Sequence, residues 1–138
     1  MGRTQHDMDP TGAHPLLHGA PSCRRCHTLT RRSTVNLANS NGNAGRPVYT
    51  CPGCHVFVCF GDMRGIHLEN PLCDCGTPLL SRVQVAGQNG GQVIGRAVHF
   101  TCAVGKCSFF RYLQGEGGNV VCMIQGALDA PQMQAMGL

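Results

Sequence analysis

Ten cysteines among 138 residues are the side chains of this sequence with the clearest chemical capacity. Eight of them form two groups of four, and each group consists of two closely spaced pairs. Four thiolates supplied by two tight turns match the tetrahedral coordination of structural zinc. We therefore predict two zinc ions, with these ligands: Cys23, Cys26, Cys51 and Cys54 in the first site, and Cys73, Cys75, Cys102 and Cys107 in the second.

Two further residues compete for places in the first site. Cys59 is an alternative to Cys54, and His27 is an alternative to Cys26. Cys122 has apolar neighbours, so we expect a buried thiol there. Disulfides are the competing use of the paired cysteines. The repeated spacing and the lack of a secretory signal favour zinc.

A zinc ion with four protein ligands has no open position for water or substrate, so we expect structural metal. We predict no catalytic residues, because the histidines lack carboxylate partners at motif spacing and no nucleophile motif is evident. We therefore expect a protein that is not an enzyme. A thiol-redox protein is a third hypothesis, which the duplicated quartets disfavour.

The composition agrees with a fold that depends on metal. Aromatic residues make 5% of the chain, tryptophan is absent, and 19 glycines and 8 prolines interrupt the apolar segments. Such a chain has little bulky apolar surface to offset the entropy lost on folding. No segment is apolar enough for a secretory signal or a membrane span, so we expect an intracellular protein.

The two quartets belong to an internal repeat with a period of about 50 residues. Short apolar runs bounded by Gly, Asn and Pro predict antiparallel strands. The expected fold class is small, mostly β and metal-stabilised, with two tandem zinc-finger modules of short twisted strands. The aligned features are Cys23 with Cys73, Asn41-Gly42 with Asn89-Gly90, Gly45-Arg46 with Gly95-Arg96, and Cys51 with Cys102.

The repeat divides the chain into four expected segments. They are a flexible N-terminal arm at residues 1–20, a first module at 21–65, a second module at 70–114, and a C-terminal tail at 115–138. The tail contains an apolar stretch that suits a strand or a helix.

The second copy resembles a GRF-type zinc finger. The similarity rests on Cys73-Asp74-Cys75-Gly76-Thr77-Pro78, Gly95-Arg96 and Cys107-Ser108-Phe109-Phe110-Arg111-Tyr112, with Tyr112 where the family has Trp. The first copy is a looser match, through Gly45-Arg46-Pro47-Val48-Tyr49-Thr50-Cys51. The resemblance covers residues 23–62 and 73–112. It implies a small twisted β structure that binds nucleic acid, chiefly single-stranded DNA, and we expect a nuclear protein.

Arginines and aromatic rings in both copies suit a single-stranded DNA or RNA partner. Arginine pairs with phosphate, and rings stack on unpaired bases. A zinc ion with four thiolates carries a charge of about −2, so two sites bring the formal charge of +4 close to zero. That balance disfavours a tight duplex binder. The predicted nucleic-acid-binding residues are Arg31, Arg32, Arg46, Tyr49, Arg82, Arg96, Lys106, Phe109, Arg111 and Tyr112.

Structural roles compete for several of these residues. Phe109 and Phe110 alternate across a strand, so we expect at least one in the core. Arg46 and Arg96 each follow a glycine and are equally suited to a hydrogen bond within a turn. If both modules bind nucleic acid, we expect them to bind the same DNA or RNA strand, which raises the overall affinity. The alternative function is a protein interaction adaptor, or self-association through the C-terminal tail.

Overall fold

The computed structural model describes residues 19–39, 42–75, 81–87, 94–123 and 138. Most of the predicted arm and much of the predicted tail lie outside these ranges. The described residues form six short strands and one 3-10 turn, and they contain two cysteine quartets. The mostly-β, metal-stabilised fold class is confirmed. No helix in the described ranges has the length and apolar character to cross a membrane.

The first module contains a three-stranded antiparallel sheet in the order β1-β2-β3. Strand β1 is Arg31–Thr34, β2 is Pro47–Thr50 and β3 is Phe57–Phe60. The second and third strands carry Val, Tyr, Thr and Phe, which fit a pleated and half-buried surface. The turn at Pro52-Gly53 reverses the chain between these strands.

The second module contains a sheet of the same order, β4-β5-β6, and it is also antiparallel. Strand β4 is Ser81–Val85, β5 is Val98–Cys102 and β6 is Phe110–Tyr112. A 3-10 turn follows at Glu116–Gly118. Two isolated bridges, one of them between Ala97 and Cys122, hold the following segment against the sheet.

The strand register places the same three residue types in one row of each sheet. In the first sheet the row runs Arg31, Thr50, Phe57, and in the second it runs Arg82, Thr101, Phe110. Residues directly opposite each other on neighbouring strands project from the same face. Each row therefore presents a cation, a hydroxyl and a ring on one face, and we call it the Arg-Thr-Phe row.

The register also corrects one predicted alignment, that of Arg46 with Arg96. Arg46 precedes β2, and its carbonyl accepts a hydrogen bond from the residue that follows β1. The residue in the same place beside β5 is Ala97. Arg96 instead corresponds to Gly45, and both have positive φ, 57° and 79°. The chain before β5 has one extra residue. Aligning the two Gly-Arg pairs in the sequence therefore matched Arg96 to a residue one position away from its structural counterpart.

Each module has a small core around its cysteines. The buried apolar side chains of the first module are Cys23, Val48, Tyr49, Cys51, Cys59 and Phe60. In the second module one cluster contains Cys73, Cys102, Val104 and Phe109, and another contains Val83, Val98 and Leu138. These cores are small enough that bound metal must supply much of the folding free energy.

Arg82 joins the two modules. Its side chain belongs to β4 of the second module and is 0% exposed. Its guanidinium donates to Asp62 Oδ1 at 2.9 Å and to the carbonyls of Phe60 at 3.1 Å, Arg64 at 2.7 Å and Ala103 at 3.2 Å. Burial lowers the pKa of Arg82 to about 10, so the guanidinium remains charged at neutral pH.

Asp62 is the anion of this junction. It also accepts two hydrogen bonds from Arg46, at 3.0 and 2.9 Å, and the guanidinium of Arg46 lies 3.6 Å from the centre of the Phe60 ring. Burial raises the pKa of Asp62, but the hydrogen bonds from Arg46 and the charges of Arg46 and Arg82 outweigh it. The pKa therefore lies below its ordinary value.

Two glycines allow the backbones of the modules to approach each other. Gly65 has φ +86°, and a Cβ there would overlap the carbonyl oxygen of Val83. Gly105 has φ +70°, and a Cβ there would lie 2.6 Å from Val58 Cγ1. Both positions combine a left-handed backbone with lack of space, which only glycine satisfies.

Candidate zinc centres and nucleic-acid interface

The first quartet is built from two turns with the same backbone geometry. In each turn the N–H of the residue after the Cys-x-x-Cys pair donates back to the first cysteine carbonyl at 2.8 Å, from His27 to Cys23 and from His55 to Cys51. Both histidines have positive φ, 64° and 59°. This conformation closes a tight turn and directs both sulfurs of each pair towards one point.

Backbone N–H groups within the turns also point at the sulfurs. Arg25 N donates to Cys23 Sγ at 3.3 Å, and Cys54 N donates to Cys51 Sγ at 3.3 Å. Backbone hydrogen bonds from Cys26 and Arg25 lower the pKa of Cys23, and the thiolate is the form that binds metal. Hydrogen bonding to Thr28 lowers the pKa of Cys26 to about 6, so this ligand is ready for zinc at neutral pH.

The spacing of the sulfurs agrees with a tetrahedral zinc ion. Zn–S bonds of about 2.3 Å place tetrahedral sulfurs about 3.8 Å apart. Cys23 Sγ and Cys54 Sγ are 4.0 Å apart, and Cys26 Sγ and Cys51 Sγ are 3.5 Å apart. All four sulfurs of the quartet lie within 4.8 Å of one another. The donor set and its dimensions fit zinc.

The second quartet has the same dimensions. Its sulfurs lie within 4.8 Å of one another, with Cys75 and Cys102 3.7 Å apart. Burial raises the pKa of Cys102, but N–H groups of the turn, including Cys107 and Lys106, outweigh it and lower the pKa to about 7. Gly105 supplies the positive φ in this turn.

Neither alternative ligand lies in the first quartet. Cys59 is 3% exposed on β3, and burial raises its pKa to about 12, so it is a neutral core thiol. His27 is exposed and closes the turn through its backbone. Cys122, which we expected to be buried, is exposed, because it lies in the segment beyond the second sheet's edge.

Five predicted nucleic-acid contacts are buried instead. Arg46 and Arg82 belong to the junction with Asp62, and Phe109 packs beside the second quartet. Tyr49 is 7% exposed and Arg96 is 4% exposed. As folded, these side chains present almost no surface to a ligand. The core position of Phe109 agrees with the expectation that it or Phe110 is buried, whereas the charges of Arg46 and Arg82 alone could not reveal a partner 16 and 20 residues away.

The other predicted contacts lie at the surface. Arg31, Arg32, Lys106 and Arg111 are exposed. Tyr112 is half-buried, and its hydroxyl accepts a hydrogen bond from Ile94 N at 3.1 Å. Arg111 lies with its guanidinium 5.5 Å from the centre of the Phe109 ring. The arginines of β1 and the basic residues of the second module thus lie on separate elements.

A groove in the first module adds residues outside the predicted set. Arg24, Arg25, Val56, Phe57 and Val58 line it beside Cys23. Phe57 is 43% exposed, although its ring centre is only 4.9 Å from that of the core residue Phe60. A bulge in the β2–β3 pairing brings both rings to one face. Strict alternation along β3 would separate them, so the sequence carried no direct signal of this exposed ring.

Residues 20–64 match the family model described as the GRF-like zinc ribbon domain. This range is the first module, the copy with the looser resemblance, and the match does not reach the second quartet. Searches of curated proteins and of solved structures find no match. The match and the two quartets establish a zinc-binding chain with two structural zinc ions.

Proposed function

We propose that this chain is a non-catalytic module that binds single-stranded nucleic acid, most favourably DNA, through an exposed basic and aromatic surface of its first module. The observation that carries the proposal is the Arg-Thr-Phe row of the first sheet. Its cation Arg31 is exposed, and its ring Phe57 is 43% exposed. Arg24 and Arg25 line the groove beside the same ring.

The chemistry of this surface suits an unpaired strand. Exposed arginines pair with phosphates, and an exposed ring offers a stacking surface to a base that is free of its own partner. The row spans two inter-strand distances of about 4.8 Å each, so a phosphate on Arg31 and a base on Phe57 are about 10 Å apart. A short stretch of a single strand covers that distance.

Overall charge supports a single strand over a duplex. The formal charge of +4 falls close to zero once two zinc-thiolate centres are included. Without a strong positive field, affinity must come from a few local cations and from stacking. Stacking requires unpaired bases, and therefore favours a single strand.

The zinc sites support a binding role without catalysis. Each ion has four cysteine ligands, so it keeps no position for water or substrate. Each zinc ion instead stabilises the turn that carries basic residues, Arg24 and Arg25 in the first module and Lys106 in the second. A DNA partner also favours a nuclear location, which imaging of the tagged chain in cells would test.

A titration by fluorescence anisotropy tests the proposal. Zinc-loaded protein with two ions per chain is mixed with labelled single-stranded DNA, single-stranded RNA and duplex DNA at 50 and 200 mM salt. Three phosphate contacts would weaken single-strand binding by roughly 20-fold over this range. Equal binding to the duplex, or no binding to any polymer by fully loaded protein, would contradict the proposal.

One observation favours a second candidate function, a protein interaction adaptor. Residues 63–72, which include the connector between the modules, expose three apolar side chains: Met63 at 44%, Leu68 at 89% and Leu72 at 56%. Apolar residues that remain exposed together are typical of surfaces that bind another protein. If the oligonucleotide titration is negative, a Leu68→Ser, Leu72→Ser variant tested for loss of self-association or partner binding becomes the next experiment.

A further inference from the structure

The two Arg-Thr-Phe rows have the same residue types but different surroundings. In the first sheet Arg31 is exposed at the edge strand. In the second sheet Arg82 occupies the same place and is 0% exposed. The aromatic ends of the rows are similar, since Phe57 is 43% exposed and Phe110 is 41% exposed. The rows therefore differ mainly in the availability of their cation.

The cation of the second row, Arg82, is held in the contact between the modules. Arg82 makes four hydrogen bonds there, one to Asp62 and three to backbone carbonyls. Withdrawing it to contact a phosphate would leave Asp62 and three carbonyls without this donor. Breaking a buried ion pair in this way is strongly unfavourable, so a nucleic acid cannot recruit Arg82 from the folded protein.

The ring of the second row is also engaged by its neighbours. Phe110 stacks on His99 with ring centres 4.8 Å apart and an angle of 21° between the planes. Its edge meets Tyr112 at a centre distance of 4.9 Å. Arg111, next to it on the strand, projects from the opposite face towards Phe109. Among the described residues, the ring contacts of Phe110 are with His99 and Tyr112, whereas Arg24 and Arg25 line the groove beside Phe57.

We infer that, among the residues that the structure describes, one site binds the single-stranded nucleic acid, that it lies on the first module, and that the second module supports it. The inference rests on the proposed function and specifies it further. The second module supplies one cation to the site, Lys106. This residue directly follows Gly105, which packs against Val58 at the wall of the groove. The binding surface therefore lies on the first module and is completed by Lys106 of the second.

A matched pair of ring substitutions tests the inference. Phe57→Ala and Phe110→Ala remove rings of similar exposure from equivalent rows. We expect Phe57→Ala to weaken binding of a labelled single strand at least about fivefold, because one base–ring stack is lost. Phe110→Ala should change the affinity less than twofold. Zinc content and circular dichroism of each variant confirm that it is folded and fully loaded.

A second pair of substitutions tests the contribution of the second module. Lys106→Ala should weaken binding and reduce its salt dependence, whereas Arg111→Ala, also an exposed cation of the second module, should leave both unchanged. Equal losses in Phe57→Ala and Phe110→Ala, or a larger loss in Phe110→Ala, would overturn the single site. No effect of Phe57→Ala would also overturn it. Failure of the unmodified protein to bind any strand would instead refute the proposed function itself.

Discussion

Arg82 of the second module and Asp62 of the first form an ion pair of 2.9 Å, and the arginine side chain of that pair is wholly buried. Because Asp62 also pairs with Arg46 of its own module, one carboxylate is shared by two guanidinium groups. Asp62 is therefore the charged centre of the contact between the modules, beside the backbone contacts made at Gly65 and Gly105.

Replacing this carboxylate should therefore destabilise the whole protein. We expect Asp62→Asn to lower the free energy of unfolding by about 3 kcal/mol, because it leaves the buried Arg82 charge without its anion. Chemical denaturation in the presence of zinc measures the effect. Glu69→Gln, which removes an exposed carboxylate of the connector, is the control and should change stability by less than about 0.5 kcal/mol. A similar loss in both variants would show that general charge balance matters more than the ion pair.

His99 should make stability depend on pH in the weakly acidic range. Burial lowers the pKa of His99 below its ordinary value of 6.5, so the unfolded chain binds the proton more readily than the folded one. The free energy of unfolding should then fall as the pH drops below about 6.5, until the folded pKa is passed. Urea titrations at pH 7.5 and 6.0 would detect this, and His99→Gln should reduce the difference. An imidazole that titrates at 6.5 or above by NMR would contradict the prediction.

The assignment of zinc ligands predicts two different outcomes for cysteine variants. Cys51→Ser removes a ligand of the first quartet, and we expect that site to lose its ion, so that the chain holds fewer than two zinc ions. Cys59→Ala and Cys122→Ala remove thiols outside the quartets and should keep two ions. Metal analysis after exhaustive dialysis provides the count. If Cys59→Ala lost an ion, Cys59 rather than Cys54 would be the ligand.

Gly105 should tolerate no side chain. Gly105→Ala places a methyl group on a left-handed backbone and against Val58, and we expect a loss of about 2 kcal/mol or more. Gly87→Ala is a matched control, since no atom of the described residues lies within 4 Å of its added Cβ and its φ is not in the left-handed region. Thermal denaturation compares the two variants. A Gly105→Ala protein as stable as the control would mean that the modules separate readily at this contact.

The sequence predicted the metal chemistry well, because it depends on local spacing. Cysteines two to five residues apart in tight turns bring their sulfurs together wherever the turns lie in space. Both quartets follow from such spacing together with the repeat. The mostly-β fold class was predictable for a similar reason, since short apolar runs between turn residues have few other regular conformations.

The nucleic-acid surface was harder to predict, because exposure depends on contacts between distant residues. Arg31 and Arg82 have the same place in their sheets, yet one is exposed and the other is buried against Asp62, 20 residues away in the chain. Sequence patterns alone do not distinguish such a pair. Phe57 was missed for a related reason, because a single bulge changes the face to which its ring turns.

The pairing of the Asp62 carboxylate with Arg82 also limits how the protein can be divided into fragments. A cut in the connector would give a first half that retains Asp62 and a second half that retains Arg82, each with a buried partner removed. The bond from Val83 N to Gly65 O, at 2.8 Å, would be lost as well. The boundary between the zinc-binding repeats is therefore not a boundary between independent folding units. Fragments and chimaeras that exchange one repeat must carry both members of the ion pair.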